Sequence, residues 1–354
     1  MNRRSFALHR HQAGLTLVEF MVSIALGMLL VAAVATLIAS QSATRSDVDK
    51  SGRMLENGRY AVRTLAEDAQ MAGYWGEIST VSAGAALPDP CSTTVADIDA
   101  ALGVHVQGYD SSGTTFPTCL SHRLAGTDVL VIRHADPDGS DVETAGAVDF
   151  AKVKQGQVYL QTGLDATGLQ FAHAMAAGSG DATADAASFS LKKKDGTTAK
   201  LRKVLVHIYY ISQCSVQSGG SCTSGDDGNP IPTLKRVDLT VSAGAVAMSS
   251  PITISEGIEN LQVDYGIDTT GDGSPDSYVN GTTLTTGTHW ADVMTLKVHL
   301  LARTNEVAVG HTDGKSYVMG THGTYTPSGT AQQYKRHLFV QSVRLVNPVM
   351  RRAV

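Results

Sequence analysis

Residues 15–40 read LTLVEFMVSIALGMLLVAAVATLIAS, an apolar run carrying one acid, Glu19, near its start. Between positions 20 and 39 only Ser23 and Thr36 have clearly polar side chains. About 20 such residues suffice for a helix to cross a bilayer core. Beyond Ser40 the composition turns polar, yet Val48, Leu55, Val62, Leu65, Ala69 and Ala72 recur at helical spacing. They predict a narrow apolar stripe suited to packing on a sheet, with Arg53, Glu56, Arg59, Arg63 and Glu67 facing water. No proline precedes Pro88, so the pattern predicts one helix over 15–71, capped by Gly73. At 1.5 Å per residue it extends roughly 85 Å. Its second half must rest on a globular domain. Gly27, Gly52 and Gly58 are the expected places for bending.

Past Gly73 the period changes. Runs at 129–134, 158–161, 204–212, 234–241, 261–267, 294–302 and 337–346 predict strands. In the third, Val204, Val206, Ile208 and Tyr210 alternate with Leu205, His207, Tyr209 and Ile211. Both faces are largely apolar, which predicts a central strand. Asp195-Gly196 signals a hairpin turn. Stretches rich in Gly, Ser, Thr and Ala at 178–187, 215–229, 274–289 and 320–330 predict long loops. Tyr74 and Trp75 are expected to cover the junction between helix end and sheet. The fold class is α+β: a long N-terminal helix packed on an antiparallel β-sheet with loops. No internal repeat is evident.

Charge and cysteines narrow the class. Lys and Arg number 28 against 33 Asp and Glu. That balance makes a poor general binder of nucleic acid or anionic lipid. The four cysteines lack C-x-x-C spacing, which argues against a zinc or redox site. Three pairings are formally open; the local ones, Cys91 with Cys119 and Cys214 with Cys222, are simplest for an exported domain. Each would contribute roughly 2.5–3.5 kcal/mol on the loop-entropy model. Free thiols are the alternative.

The residues before the apolar run complete a pattern. Arg3, Arg4 and Arg10, with His9 and His11, form a cationic leader ending at Gly14. A secretory signal carries its apolar segment before the cleavage site and loses it. Cleavage between Gly14 and Leu15 would instead leave the helix attached, with a free amine at its tip. It would also remove three arginines, leaving 25 basic against 33 acidic side chains. The leader charge stays cytoplasmic, which places position 41 onward on the other side. An uncleaved anchor, or ordinary signal-peptidase cleavage after Ala43, is the competing expectation.

GLTLVE resembles the prepilin signal shared by type IV pilins and type II secretion pseudopilins, G before [FLM]-[ST]-L-x-E. Segments 58–76 (GRYAVRTLAEDAQMAGYWG), 254–268 (ISEGIENLQVDYGID) and 336–347 (RHLFVQSVRLVN) extend the resemblance to the PilW family of type IV pilus assembly proteins. Members of that family are minor pilins. The resemblance implies a leader over 1–14, a transmembrane and filament-core helix over 15–40, its amphipathic continuation over 41–73, and a periplasmic or extracellular β-rich domain over 74–354. It implies cleavage at Gly14 by a prepilin peptidase that then methylates the Leu15 amine. Glu19 would pair with the N-terminal amine of a neighbouring subunit, since an acid within a membrane helix needs a partner. The macrodipole and nearby headgroups offer that acid a simpler explanation. The implied location is the inner membrane, then the pilus at or near its tip. Implied partners are the prepilin peptidase, other minor pilins, the major pilin and a large tip adhesin of the PilY type. A pseudopilin of type II secretion, and a non-polymerising calcium-binding or adhesive module, are the alternatives.

DTTGDGSPD at 268–276 places oxygen side chains at Asp268, Thr270, Asp272 and Asp276 with Gly273 at position six, the opening of a calcium loop. Thr270 replaces the usual acid, and position twelve is Val279 rather than Glu. An ordinary Asp- and Gly-rich turn explains the same residues. The basic run Lys192, Lys193 and Lys194, with Lys200, Arg202 and Lys203, reads as a solvated hairpin, and Arg351 and Arg352 as a solvated end. His207, His299 and His337 stand alone in strands, and no H-E-x-x-H, G-x-S-x-G or phosphate loop occurs. The chain presents no catalytic constellation, and calcium is the one cofactor its residues suggest.

Overall fold

The computed structural model describes Gly14 and residues 16–78, 81–165, 168 and 170–352. The chain divides into two compact units, Met1–Lys50 and Ser51–Val354. Helix α1 covers Leu17–Met71, so it begins in the first unit and ends in the second.

In the first unit the apolar side chains face outward. Leu17, Phe20, Met21, Leu29, Leu30 and Val31 are each at least 60 % exposed. The polar side chains fold back on the helix: Ser23 Oγ donates to the Glu19 carbonyl at 2.7 Å and Thr36 Oγ1 to the Ala33 carbonyl at 2.8 Å. The segment therefore presents hydrocarbon with its hydroxyls satisfied internally, as a bilayer or helix-bundle core requires.

In the second unit the buried face of α1 runs through Met54, Gly58, Ala61, Leu65, Ala69 and Ala72. This stripe is rotated from the expected one: Leu55 and Val62 are half-buried, and Val48, in the first unit, is exposed. Small residues decide the rotation, because they let the helix backbone approach the sheet closely. Gly58 shows this directly: an ideal Cβ there would stand 2.1 Å from Cε2 of Phe339. The helix is continuous through Gly27, Gly52 and Gly58, so glycine marks a contact at Gly58 and not a break. Gly73 adopts φ +71° and donates its N–H to the Arg133 carbonyl at 2.9 Å, which ends the helix as expected.

Strands β1 (Val106–Tyr109), β2 (Val129–Ala135), β3 (Glu143–Thr144), β4 (Ala147–Val148), β5 (Val158–Leu164), β6 (Phe171–Ala177), β7 (Leu201–Ser212) and β8 (Thr233–Ser242) follow. They continue as β9 (Ala245–Met248), β10 (Ile252–Glu256), β11 (Ile258–Ile267), β12 (Ser277–Val279), β13 (Val293–Arg303), β14 (Tyr317–Val318), β15 (Thr324–Tyr325) and β16 (Arg336–Arg344). Short helices α2 (Val95–Ala100), α3 (Ala182–Ser188), α4 (Gly287–Ala291) and α5 (Val346–Arg352) interrupt them.

An eight-stranded sheet runs β1–β2–β7–β5–β6, with β8 joining β7 to β9 and β10. A four-stranded sheet runs β12–β11–β13–β16. The expected single sheet is thus two principal ones, both antiparallel. β7 pairs with β2, β5 and β8, the central place its two apolar faces predict. One core joins Leu65 and Ala69 of α1 to Ile132 and Tyr209 of the larger sheet and Val263 and Val298 of the smaller. On the other face of the larger sheet, Val131, Val206 and Ile208 pack with Trp75 and Leu102.

Candidate functional site

The N-terminal segment is built around Glu19. Thr16 and Glu19 form a reciprocal cap: Thr16 N–H and Oγ1 donate to Glu19 Oε2, both at 2.9 Å, and Glu19 N–H donates to Thr16 Oγ1 at 3.3 Å. This is the capping box that T-x-x-E encodes, with the acid at the positive end of the helix dipole. The role of Thr16 is absent from the reading above, although its spacing to Glu19 is the usual signal. Gly14 has open space around its Cα, and Leu15 lies outside the described residues. The apolar surface of α1 beyond Glu19 is uncovered, and it meets the length and composition of a membrane span.

At the other end of α1 a buried carboxylate fastens the helix to the larger sheet. Asp68 accepts from His207 Nδ1 at 2.8 Å and Tyr209 Oη at 2.9 Å, and pairs with His134 Nε2 at 3.0 Å. Register explains the gathering: β2 and β7 are neighbours, with Ile132 opposite His207 and Leu130 opposite Tyr209. Burial would raise the Asp68 carboxyl, but hydrogen bonds from His134 and His207 outweigh it and hold the group well below the usual carboxylate range. Burial likewise disfavours the His134 cation, and Asp68 more than compensates, so His134 is raised. The expectation that strand histidines stand alone therefore fails at His207. It fails also at His299, whose Nε2 lies 3.2 Å from Asp264 Oδ2. Sequence spacing conceals both, because the partners are 139 and 35 positions apart.

The helix terminus is closed by the end of the chain. Asn347 Nδ2 donates to the Met71 and Ala72 carbonyls at 3.3 and 3.2 Å, and Arg351 Nη2 to the Gly73 carbonyl at 2.7 Å. Arg351 is thus a cap for α1 and not a solvated end; carbonyls at a helix C-terminus need such donors. Trp75 is 1 % exposed within the core, while Tyr74 is half-buried and stacked by Arg202 at 5.3 Å. Both cover the helix–sheet junction.

Cys91 pairs with Cys119 and Cys214 with Cys222, at Cα separations of 5.8 and 5.4 Å. Each bridge ties a loop locally. The basic cluster is only partly solvated. Lys200 pairs with Glu143 at 3.1 Å, Lys203 pairs with Asp141, and Arg202 donates to the Asp136 carbonyl at 3.2 Å. These contacts anchor the 136–143 loop on the start of β7.

In the 268–276 loop, Asp268 is fully buried and Thr270 Oγ1 lies 3.3 Å from Asp268 Oδ1 and 3.4 Å from Asp276 Oδ1. Three of the four expected oxygen-bearing side chains therefore converge. Asp272 instead accepts from the Ser274 amide at 2.8 Å. Backbone amides fill much of the loop: Gly271 and Gly273 donate to Asp268 at 2.6 and 2.8 Å, and Thr269 to Asp276 at 2.7 Å. Such amide-saturated carboxylates hold a tight turn by themselves.

Comparison with known proteins bears on the two ends separately. The family model described as Type IV Pilus-assembly protein W matches residues 208–347, from within β7 to the first residues of α5. The prokaryotic N-terminal methylation motif matches residues 9–35, which contain Gly14, Thr16 and Glu19. No curated protein matches the chain. Among solved structures, a type IV-like pilin from Thermus thermophilus is similar at 12 % identity and a TM-score of 0.34, over 84 % of this chain and 97 % of that one. The fold class therefore rests on the helix and the two antiparallel sheets themselves. An N-terminal methylation motif on an exposed apolar helix, followed by a region that matches the PilW model over residues 208–347, marks the chain as a type IV pilus-related pilin that carries a PilW domain.

Proposed function

We propose that the chain is a minor pilin that primes filament assembly and sits at or near the pilus tip. In this reading a prepilin peptidase removes residues 1–14, cutting after Gly14, and methylates the Leu15 amine. Residues 15–40 are held in the inner membrane and then form the filament core, 41–73 continue the helix, and 74–354 form the domain outside the cytoplasm. The role is structural. Other minor pilins, the major pilin and a PilY-type tip adhesin are its partners.

The single observation behind this reading is the uncovered apolar helix with one acid at its N-terminal turn. Leaving so much hydrocarbon in water would be costly at roughly 25 cal/mol per Å². A bilayer first, then neighbouring helices, can cover it. Thr16 satisfies Glu19 within its own chain while leaving it at the tip of the helix, where the amine of an adjoining subunit can reach it. N-methylation keeps that amine cationic. In a low-dielectric bundle the pair would be attractive and would set axial register. The test is Glu19→Ala in cells: the variant is cleaved and membrane-inserted, but its recovery in sheared filaments falls at least tenfold. Wild-type recovery would remove Glu19 from assembly.

A further inference from the structure

Away from the helix, three ionisable side chains from separate segments meet at one buried point. Asp110 follows β1, Asp128 precedes β2, and His322 ends the 3-10 turn Gly320–His322 between β14 and β15. Their side chains are 3, 1 and 8 % exposed. One imidazole stands between two acids: His322 Nδ1 lies 3.3 Å from Asp110 Oδ2, and Nε2 lies 3.4 Å from Asp128 Oδ2.

We propose that this triad is a pH-sensitive latch. A protonated His322, bridging Asp110 and Asp128, holds the 320–322 turn down on the junction of the two sheets, and loss of the proton frees it.

The acids sit on fixed parts of the fold. Asp128 N–H donates to the Leu261 carbonyl at 2.9 Å, and Asp128 Oδ2 accepts from Val263 N–H at 2.9 Å, so the start of β2 is tied to β11. Ser111 N–H donates to Asp128 Oδ1 at 2.7 Å, and Ser112 N–H and Oγ to Asp110 Oδ1 at 2.8 and 2.6 Å. The histidine sits on a lighter element. Strands β14 and β15 are two residues each and pair only with one another among the described residues. Gly320 at φ +65° and Gly323 at φ +90° flank the turn's last two residues, conformations that glycine adopts freely. Thr321 adds one further tie, its N–H and Oγ1 donating to Asp264 Oδ1 at 3.0 and 2.6 Å. The closed turn lies directly over Asp264 and His299: an ideal Cβ on Gly320 would stand 2.2 Å from Asp264 Oδ2 and 2.7 Å from His299 Nε2. Release would uncover that pair.

Charge makes the latch depend on a proton. Both contacts of His322 are long for hydrogen bonds, and Asp110 Oδ2 and His322 Nε2 make none. What holds them is attraction between charges, which requires the imidazolium. With a neutral ring, two carboxylates would share a buried site and repel. Burial pushes the Asp128 carboxyl up to about 7; His322 and the Val263 and Ser111 amides oppose this, and Asp110 adds to it.

The other groups facing the triad leave this balance in place. Arg123 also feels Asp128, but its Nη1 donates to the Leu124 and Thr127 carbonyls at 3.1 and 3.0 Å. The Tyr265 phenol is raised well above its usual value by burial and by Asp128, Asp110 and Asp264, so it stays neutral. Burial would raise Asp264, but His299 and Thr321 outweigh it, so it stays ionised. The sign follows from Asp128. Its folded value lies above the unfolded 3.8, so the closed state holds a proton that the open state gives up. Closure is favoured at acid pH and weakens as pH rises through about 7.

The test is hydrogen exchange on full-length protein in detergent, followed in peptides spanning 316–326 from pH 5.5 to 8.5 and corrected for intrinsic rates. The opening equilibrium should rise about tenfold across that range. This lies within the roughly 30-fold allowed if opening returned Asp128 from about 7 to its unfolded value. His322→Gln removes the titrating ring, so the turn should open readily at both ends of the range and the step should vanish. Asp110→Asn keeps the Oδ1 acceptor for Ser112 and removes one charge. Its step should move to lower pH, because Asp110 no longer raises Asp128, whereas a merely structural contact would loosen the turn without moving the midpoint. A flat wild-type profile would overturn the proposal. So would a step that persists in His322→Gln, or one that His299→Gln abolishes while its thermal melt stays at the wild-type value.

Discussion

Replacing Asp68 with Asn tests how the second half of α1 is fastened to its sheet. The substitution keeps size but removes the charge that faces His134, His207 and Tyr209. Hydrogen bonds to a charged group contribute about 1.5–3 kcal/mol each, and breaking a buried pair costs about 3–5 kcal/mol. Asp68 is only 10 % exposed at its side chain, so solvent screening takes little from this figure. We expect a loss of about 3–5 kcal/mol, seen as a thermal midpoint lowered by roughly 5–10 °C at pH 5.5.

The pH dependence has two limbs of opposite sign. Asp68 is depressed in the fold, so its contribution is present above the unfolded value of 3.8 and fades as pH falls towards the folded one. His134 is raised, so its contribution is complete below its unfolded value of 6.5 and is lost as pH climbs through the folded one. Wild-type stability should therefore peak between about pH 4 and 6.5 as far as this cluster is concerned. In Asp68→Asn the acid limb should vanish and the basic limb shrink, because His134 loses Asp68 and keeps only the weaker pull of the Ala135 carbonyl and Asp136. Circular-dichroism melts from pH 3 to 9, with hydrogen exchange along α1, would show it. A variant profile parallel to wild type, within 1 °C, would refute the clamp.

Gly58→Ala should lose about 1 kcal/mol: the new methyl meets the Phe339 ring, at about 1–3 kcal/mol for overpacking, against about 1 kcal/mol of helix propensity gained. In a Phe339→Leu background the same change should be neutral or stabilising, and denaturant melts of the four proteins would separate the two effects. Asp268→Ala should cost about 2–4 kcal/mol in the presence of a calcium chelator, since the Gly271 and Gly273 amides lose their acceptor. A loss that appears only when calcium is added would assign the loop to the ion instead.

How much of this was legible depended on whether the signal was local. The apolar helix, Gly73 and the strands at 129–134 and 204–212 announce themselves by period and composition, which is how hydrophobic burial is written in a chain. The alanines of Phe171–Ala177 suit a helix by propensity, yet they form β6 because β5 offers an edge to pair with. Arg344 ends β16 two residues early, since Leu345 and Val346 turn to let Asn347 and Arg351 reach the end of α1. The stripe on α1 was misplaced because glycine and alanine carry little hydrophobic signal, although close approach favours them. The acid–histidine clusters were invisible for another reason. Asp68 precedes its partners by 66 and 139 positions, and only the pairing of β2 with β7 brings those partners side by side.

The central claim is that the apolar helix stays on the mature protein with a free amine close to Glu19. Mass spectrometry of the N-terminal peptide, from protein extracted from membranes or sheared filaments, tests it most directly. The account predicts a chain that starts at Leu15 with a methylated amine. A chain that still starts at Met1, or one that starts beyond Ser42, would contradict it.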